Sequence, residues 1–242
     1  MRLDRYVSHA TAVPRKQTLD WIASGRVHIN DHRATEPRIV VVSSHDEVSL
    51  DGSVLRRPPH RTLVMNKPKG CISATRSEQH RTVIDHVPAD LLHPKLSPAG
   101  RLDKDTTGLL LLSTDKGLIQ YLTHPKHKVE KTYVVRLKTA LAGDAEQRVA
   151  AGMVLSDGTH CKPALLERIE EHEVHMTLRE GRFHQVKRMI GHLGGHLIDL
   201  HRRRIGRLSL DEALETGQCR PLTTAEWRDV LDSLPETRTT FP

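Results

Sequence analysis

Apolar side chains recur at helical spacing twice near the start of the chain: at Leu3, Tyr6 and Val7, then at Leu19, Ile22 and Ala23, with Gly25 placed to close the second helix. The period then shortens to two. Val27 and Ile29 face one way ahead of an Asn30-Asp31 turn, and residues 39–52, IVVVSSHDEVSLDG, supply one or two further short strands. The next segment, GSVLRRPPHRT, has no apolar period and carries Pro58-Pro59, which predicts an extended linker. Residues 1–58 therefore read as a small helix-helix-strand domain with its linker, residues 59–236 as a second domain, and residues 237–242 as a disordered tail.

Beyond residue 62 strands and helices alternate without the regular spacing of a doubly wound sheet. TLVMNKP is a short strand ended by Pro68, and the run Leu109 to Leu112 reads as a buried strand. VEKTYVVRLK puts Val129, Tyr133, Val135 and Leu137 on one face, and EVHMTLRE does the same with Val174, Met176 and Leu178. In FHQVKRMIGHL, Phe183, Val186, Met189, Ile190 and Leu193 make one apolar stripe ahead of Gly194-Gly195. In TTAEWRDVLDSL, Thr223 and Glu226 form a capping box ahead of a buried face of Trp227, Val230, Leu231 and Leu234. The fold class is α+β, with a mixed, largely antiparallel sheet in the second domain.

Charge narrows the partner. Against 30 acidic residues stand 37 Lys and Arg, a formal +7, in a chain of 242 residues with no apolar run near the ~20 needed to span a bilayer and no apolar signal core at its start. Such a surface calls for a polyanion other than a membrane, in the cytoplasm. Cys71, Cys161 and Cys219 are odd in number, far apart and in no CxxC pair, so they suggest neither a disulfide framework nor a cysteine zinc site. No HExxH motif is present, and His172 and His175 fall on opposite faces of a strand, so the 17 histidines give no metal site.

Three segments could carry chemistry. In GRLDKDTTG, Asp103 and Asp105 lie next to Arg101 and Lys104, with Lys104 between the two carboxylates. The two cations compete with any hard metal for these carboxylates. What remains open is a loop salt bridge, or a carboxylate kept ionised by its neighbours and displayed at a strand end as a nucleophile or electrostatic stabiliser. In EGRFHQVKRM, Arg182 opens a helix whose outer side bears His184, Lys187 and Arg188, which is either a solvated face or an anion site. HRRRIG adds Arg202, Arg203 and Arg204, dense enough in like charge to want a phosphate. Aromatic residues are only 3% of the chain, which argues against a sheet platform stacking several bases, and Tyr133 is either a core tyrosine or a single ring for one base.

Taken together, AGRLDKDTTGLLLLSTDKG, HPKHKVEKTYVV and EGRFHQVKRM resemble the pseudouridine synthases, within them the branch acting on small-subunit (16S) rRNA; NKPKG, HRRRIG and CRPLT match as well. MRLDRYVS with ASGRVHIND resembles an S4 RNA-binding domain. The resemblance implies isomerisation of one uridine, the uridine-516 type site, by a monomer that needs no cofactor or metal and whose partner is 16S rRNA or a small-subunit precursor particle. It makes Asp103 the catalytic aspartate, Lys187 the basic residue paired with it and Tyr133 the ring that stacks on the target base. Arg101 and Arg182 are then candidates for phosphate or carboxylate contacts. The expected RNA-binding cations are Arg2, Arg5, Arg15, Lys16 and Arg26 in the first domain and Arg188, Arg202 and Arg203 in the second. The alternative reading is a non-catalytic S4-type RNA-binding protein serving ribosome assembly, which would gain nothing from an aspartate set among cations.

Overall fold

The computed structural model describes residues 2–11, 13–41, 46–55 and 60–233. The expected linker prolines and the C-terminal tail, with Leu234, lie outside the described residues. The chain divides into two compact units, Met1–His60 and Arg61–Pro242.

In the first unit α1 (Leu3–Thr11) and α2 (Arg15–Ala23) precede β1 (Val27–Ile29), β2 (His32–Arg33), β3 (Val48–Leu50) and β4 (Ser53–Val54). The strands form one sheet in the order β2-β1-β3-β4. The β1–β2 turn works because Asn30 and Asp31 both adopt positive φ, 49° and 64°, which these two residue types tolerate. Leu3, Tyr6, Val7, Ile22, Val27 and Val48 are the buried core. Two expectations are corrected. The inner face of α2 is Thr18 and Ile22, with Ala23 exposed, because the Thr18 hydroxyl bonds to the carbonyls of Arg15 (2.8 Å) and Asp4 (3.2 Å) and turns that side inward. Ser53 and Val54 are strand rather than linker, since the Asp51-Gly52 turn folds them back onto β3.

The second unit opens with β5 (Thr62–Lys67), β6 (Ser97–Pro98), β7 (Thr107–Ser113), α3 (Lys116–Thr123) and β8 (Lys131–Leu137). It continues with α4 (Ala145–Ala151), β9 (Met153–Val154), β10 (His160–Cys161), β11 (Leu165–Glu170), β12 (Glu173–Leu178) and α5 (Gln185–His192). The last elements are β13 (Leu197–Ile205), β14 (Leu208–Ser209), β15 (Cys219–Pro221) and α6 (Thr224–Asp232). The main sheet runs β11-β12-β8-β13-β7-β5-β15, antiparallel except where β13 meets β7. β7 is covered on both faces, which explains four successive leucines where a half-buried strand would alternate. Leu109 and Leu111 pack with residues of α3 and α6, while Leu110 and Leu112 pack with Cys71, Val83 and Leu96 of the long β5–β6 connection and with Leu102 of the loop that enters β7.

Gly108 fixes the parallel contact between β7 and β13. Its φ is 102°, and a Cβ there would lie 2.4 Å from the Arg202 carbonyl oxygen of β13, so only glycine lets the two strands meet. The stripe on α5 is Val186, Met189, Ile190 and Leu193. Phe183 does not belong to it and is 75% exposed. Left-handed His184 (φ 49°) delays the helix start to Gln185, so Phe183 precedes the helix and stacks on the His184 ring, centroids 3.8 Å apart. The capping box of α6 forms as expected, Thr223 N donating to Glu226 Oε2 at 2.7 Å and Glu226 N to Thr223 Oγ1 at 3.2 Å.

Candidate active site

The GRLDKDT loop enters β7 and is held from outside itself. Lys67, the last residue of β5, has no exposed surface, and its ammonium donates to the carbonyls of Pro68 (3.0 Å), Asp103 (3.0 Å) and Thr106 (2.9 Å). Burial drives its pKa below the usual lysine range, and three carbonyl dipoles stand in for a carboxylate partner. Ser73 adds a two-way clamp, donating to Leu102 O at 3.0 Å and accepting from Leu102 N at 2.9 Å, while Gly70 N bonds Lys104 O at 2.8 Å. The NKPKG segment thus acts as a bracket for the acidic loop. Nothing in the sequence alone marks Lys67 for that part, because its acceptors are main-chain atoms, two of them far along the chain.

Asp103 and Asp105 share one cation. Lys187, projecting from α5, places Nζ 3.2 Å from Asp103 Oδ2 and 2.5 Å from Asp105 Oδ1. His184 Nε2 lies 3.5 Å from Asp103 Oδ1. The Lys187 bond is the main reason the Asp105 carboxyl falls below the usual range. Burial alone would lower the Lys187 pKa, yet the bonds to the two carboxylates raise it above the ordinary value. Asp105 is mostly exposed, whereas Asp103 is largely covered and opens inward, onto a cavity of about 500 Å³.

That cavity gathers Arg101, Asp103, Tyr133, Arg182 and Arg202 of the residues expected at the site, together with Lys131, which sequence reasoning passed over. Tyr133 and Lys131 alternate on β8, and Tyr133 stands opposite Arg202 of β13. Among the described residues no group of three or more His, Cys, Asp or Glu side chains gathers to hold a metal ion.

The remaining cations separate into distinct settings. Arg202 is not a surface arginine: it is 2% exposed, with Nε on the Leu109 carbonyl at 2.8 Å, because strand alternation sends Arg202 inward and leaves Arg203 exposed. Arg204 reaches Thr132 Oγ1. Arg188 is taken up by Asp157 and Thr159, and Arg182 lies 3.4 Å from Glu180. In the first unit Arg5 and Lys16 are exposed, Arg2 and Arg15 converge on buried Asp4, and Arg26 pairs with Asp51 beneath a 5.4 Å approach to the Trp21 ring. Burial opposes the Asp4 charge, and the two guanidiniums overcome it.

Residues 61–192 match the model of the RNA pseudouridylate synthase family. The chain is 39% identical over 228 residues to a Yersinia pestis protein named ribosomal small subunit pseudouridine synthase A, covering 93% of this chain and 96% of that one. To the protein of the same name from Escherichia coli strain K12 it is 37% identical over 233 residues, covering 96% and 100%. A crystal structure of a pseudouridylate synthase superposes with a TM-score of 0.67 at 35% identity, over 95% of this chain and 99% of that one. With the paired Asp103 and Lys187 set at the mouth of β7 in the part of the chain that the family model covers, this protein belongs to the RNA pseudouridylate synthase family.

Proposed function

We propose that the protein converts one uridine of small-subunit rRNA, the uridine-516 type site, to pseudouridine, with Asp103 as the catalytic carboxylate acting on a base turned out of its stack. The observation that carries this reading is the largely covered Asp103 carboxylate, gripped by Lys187 on one side and open on the other to a cavity that also holds Tyr133. The relatives' printed names supply the small-subunit assignment.

The reaction asks for little else. The N1–C1′ bond must break, the uracil must turn while still held, and C5 must bond to C1′. A carboxylate can attack or stabilise the electron-poor sugar carbon as a retaining glycosidase does, or take a sugar proton. The departing base returns as the nucleophile, so no water has to be activated. Extracting the base from its stack costs a few kcal/mol, which stacking on Tyr133 partly returns. The cations Arg101 and Arg182, at the cavity, and Arg5, Lys16 and Arg203, exposed elsewhere, are available to phosphates.

The test is to incubate the protein with small-subunit rRNA, and separately with the precursor particle, and to map pseudouridine. A single new pseudouridine that vanishes with Asp103→Asn supports the reading. RNA bound with none formed would turn it to the assembly-protein alternative. An Asp103→Asn variant retaining a rate within about tenfold of wild type, a barrier change of only ~1.4 kcal/mol, would remove Asp103 as the essential group.

A further inference from the structure

Asp103, Lys187 and Tyr133 leave a second set of charges in the same cavity without employment. Arg202 is 2% exposed; Nε is spent on Leu109 O, but Nη2 meets no acceptor among the described residues. Lys131 lies on the Tyr133 face of β8 and spends one hydrogen bond on Val129 O at 2.9 Å. Burial, with a smaller contribution from the Arg202 charge, pushes the Lys131 pKa down to about 8. Thr106 Oγ1, in a residue 1% exposed, is also unpartnered. All three residues line the cavity that holds Asp103. Among the described residues no carboxylate pairs with Arg202 or Lys131, so a buried guanidinium and a half-buried ammonium share one cavity at a real cost to the folded state. An arrangement of this kind makes sense where an anion arrives, because fixed charges in a dry cavity act strongly on charge that develops there.

Building on the function proposed above, we propose that Arg202 and Lys131, assisted by the Thr106 hydroxyl, form the subsite that holds the detached uracil ring as an anion, through its carbonyl oxygens. As the N1–C1′ bond breaks, its electron pair stays with the ring, whose negative charge spreads over N1 and the two carbonyl oxygens, while the Asp103 carboxylate bonds to C1′. The ring turns against Tyr133. C5 then attacks C1′ with a ring electron pair and displaces the carboxylate, the C5 proton passes to solvent, and N1 takes a proton up. The ring is neutral on entry and on exit and anionic only between. If Asp103 takes a sugar proton instead, the charge on the ring is the same. Because the two cations meet full negative charge only in that interval, they act on the chemical step and hardly on RNA affinity.

A phosphate of the target strand is the rival anion, and kinetics separate the two. The experiment uses full-length protein and small-subunit rRNA, carrying uridine or 5-fluorouridine at the target position, in single turnover at saturating RNA. It follows consumption of the target nucleoside for Lys131→Met, Lys131→Arg and Arg202→Met, with dissociation constants across a salt series and melting temperatures for each. Fluorine stabilises the ring anion, so it should compensate for a missing cation. The expected result for Lys131→Met is a loss of about a hundredfold with uridine and a clearly smaller loss with 5-fluorouridine. Affinity and salt slope should stay as in wild type, the melting temperature should hold or rise, and Lys131→Arg should keep most of the rate. Equal losses on both substrates, or a lost rate accompanied by a lower melting temperature, would reduce the pair to a structural part and overturn the proposal. Intact chemistry with weaker, less salt-dependent binding would assign the cations to phosphate and overturn it too. Should Arg202→Met unfold through the freed Leu109 carbonyl, the Lys131 variants decide alone. A wild-type protein that makes no pseudouridine would fail one step earlier, at the proposed function itself.

Discussion

Replacing Lys187 by Met tests whether the Asp103 carboxylate depends on its partner. The substitution removes the ammonium 3.2 Å from Asp103 Oδ2 and keeps most of the apolar stem that packs along α5. At an effective dielectric of about 20, one charge pair at that distance has a gross attraction of ~5 kcal/mol. Desolvation of two largely covered groups offsets most of it, which leaves roughly 2 kcal/mol of net coupling, or about thirtyfold in rate if the coupling serves the chemical step. A second effect runs the same way: Asp105, now neutralised by the same ammonium, becomes an unshielded negative charge next to Asp103. Single-turnover rates at saturating rRNA, read as tritium released from C5-labelled uridine, should therefore fall by about that factor while the dissociation constant changes little. Lys187→Arg should recover part of the loss. Asp105→Asn, which removes the competing carboxylate and leaves Asp103 its cation, should be mild. A Lys187→Met protein with wild-type chemistry and a salt slope lower by about one unit would show a phosphate contact in place of a catalytic pair and refute the reasoning.

Gly108→Ala should destabilise the second unit by roughly 3 kcal/mol, from a left-handed backbone and a Cβ driven into the Arg202 carbonyl, read as a lower urea midpoint at unchanged slope. Lys131→Met should be more stable than wild type below pH 8, by on the order of 3 kcal/mol, with the gap closing as pH rises toward 10.5. The sign follows from burial: the folded pKa is depressed, so between those values the unfolded chain binds more protons and wild-type stability climbs with pH. Lys67, depressed the same way, is common to both proteins and cancels; a gap constant with pH would show that Lys131 is not held out of water. Removing residues 1–60 should leave a cooperatively folding protein with weaker rRNA binding and a smaller salt slope, and an aggregated product would place essential packing across that boundary.

The strands β1, β3, β5, β7, β8 and β12, and the helices α1, α2, α5 and α6, could be read from the chain because their apolar pattern survives in the fold, whereas β11, β13, the remaining short strands, α3 and α4 could not. Val174, Met176 and Leu178 are buried in turn, as are Val186, Met189 and Ile190. The misreadings share one physical cause, that periodicity says which positions agree with one another but not where an element begins. One left-handed residue, His184, moved the start of α5 past Phe183, and one Asp-Gly turn folded Ser53 and Val54 back into a sheet. The three arginines of HRRRIG read as one cluster only until strand alternation separates them, and the inward member then faces a different problem from its neighbours.

The acidic loop shows the deeper limit. Asp103 and Lys187 are chemically conspicuous in the sequence, since each carries a charge that invites a partner. Lys67 is not, because its partners are three carbonyl oxygens that any residues would supply. Yet it is Lys67 that fixes where Asp103 points. A carboxylate on a free loop would sample many directions, and a misplacement near 1 Å is enough to cost a reaction about a hundredfold. With its carbonyl tied to Lys67, the preceding Leu102 clamped by Ser73, its side chain tied to Lys187, and β7 packed on both faces behind it, Asp103 has little left to lose when a substrate arrives. The loop's rigidity is thus bought from a strand end and a main-chain bracket, and the four leucines beside the two carboxylates are the anchor that lets so polar a loop hold still.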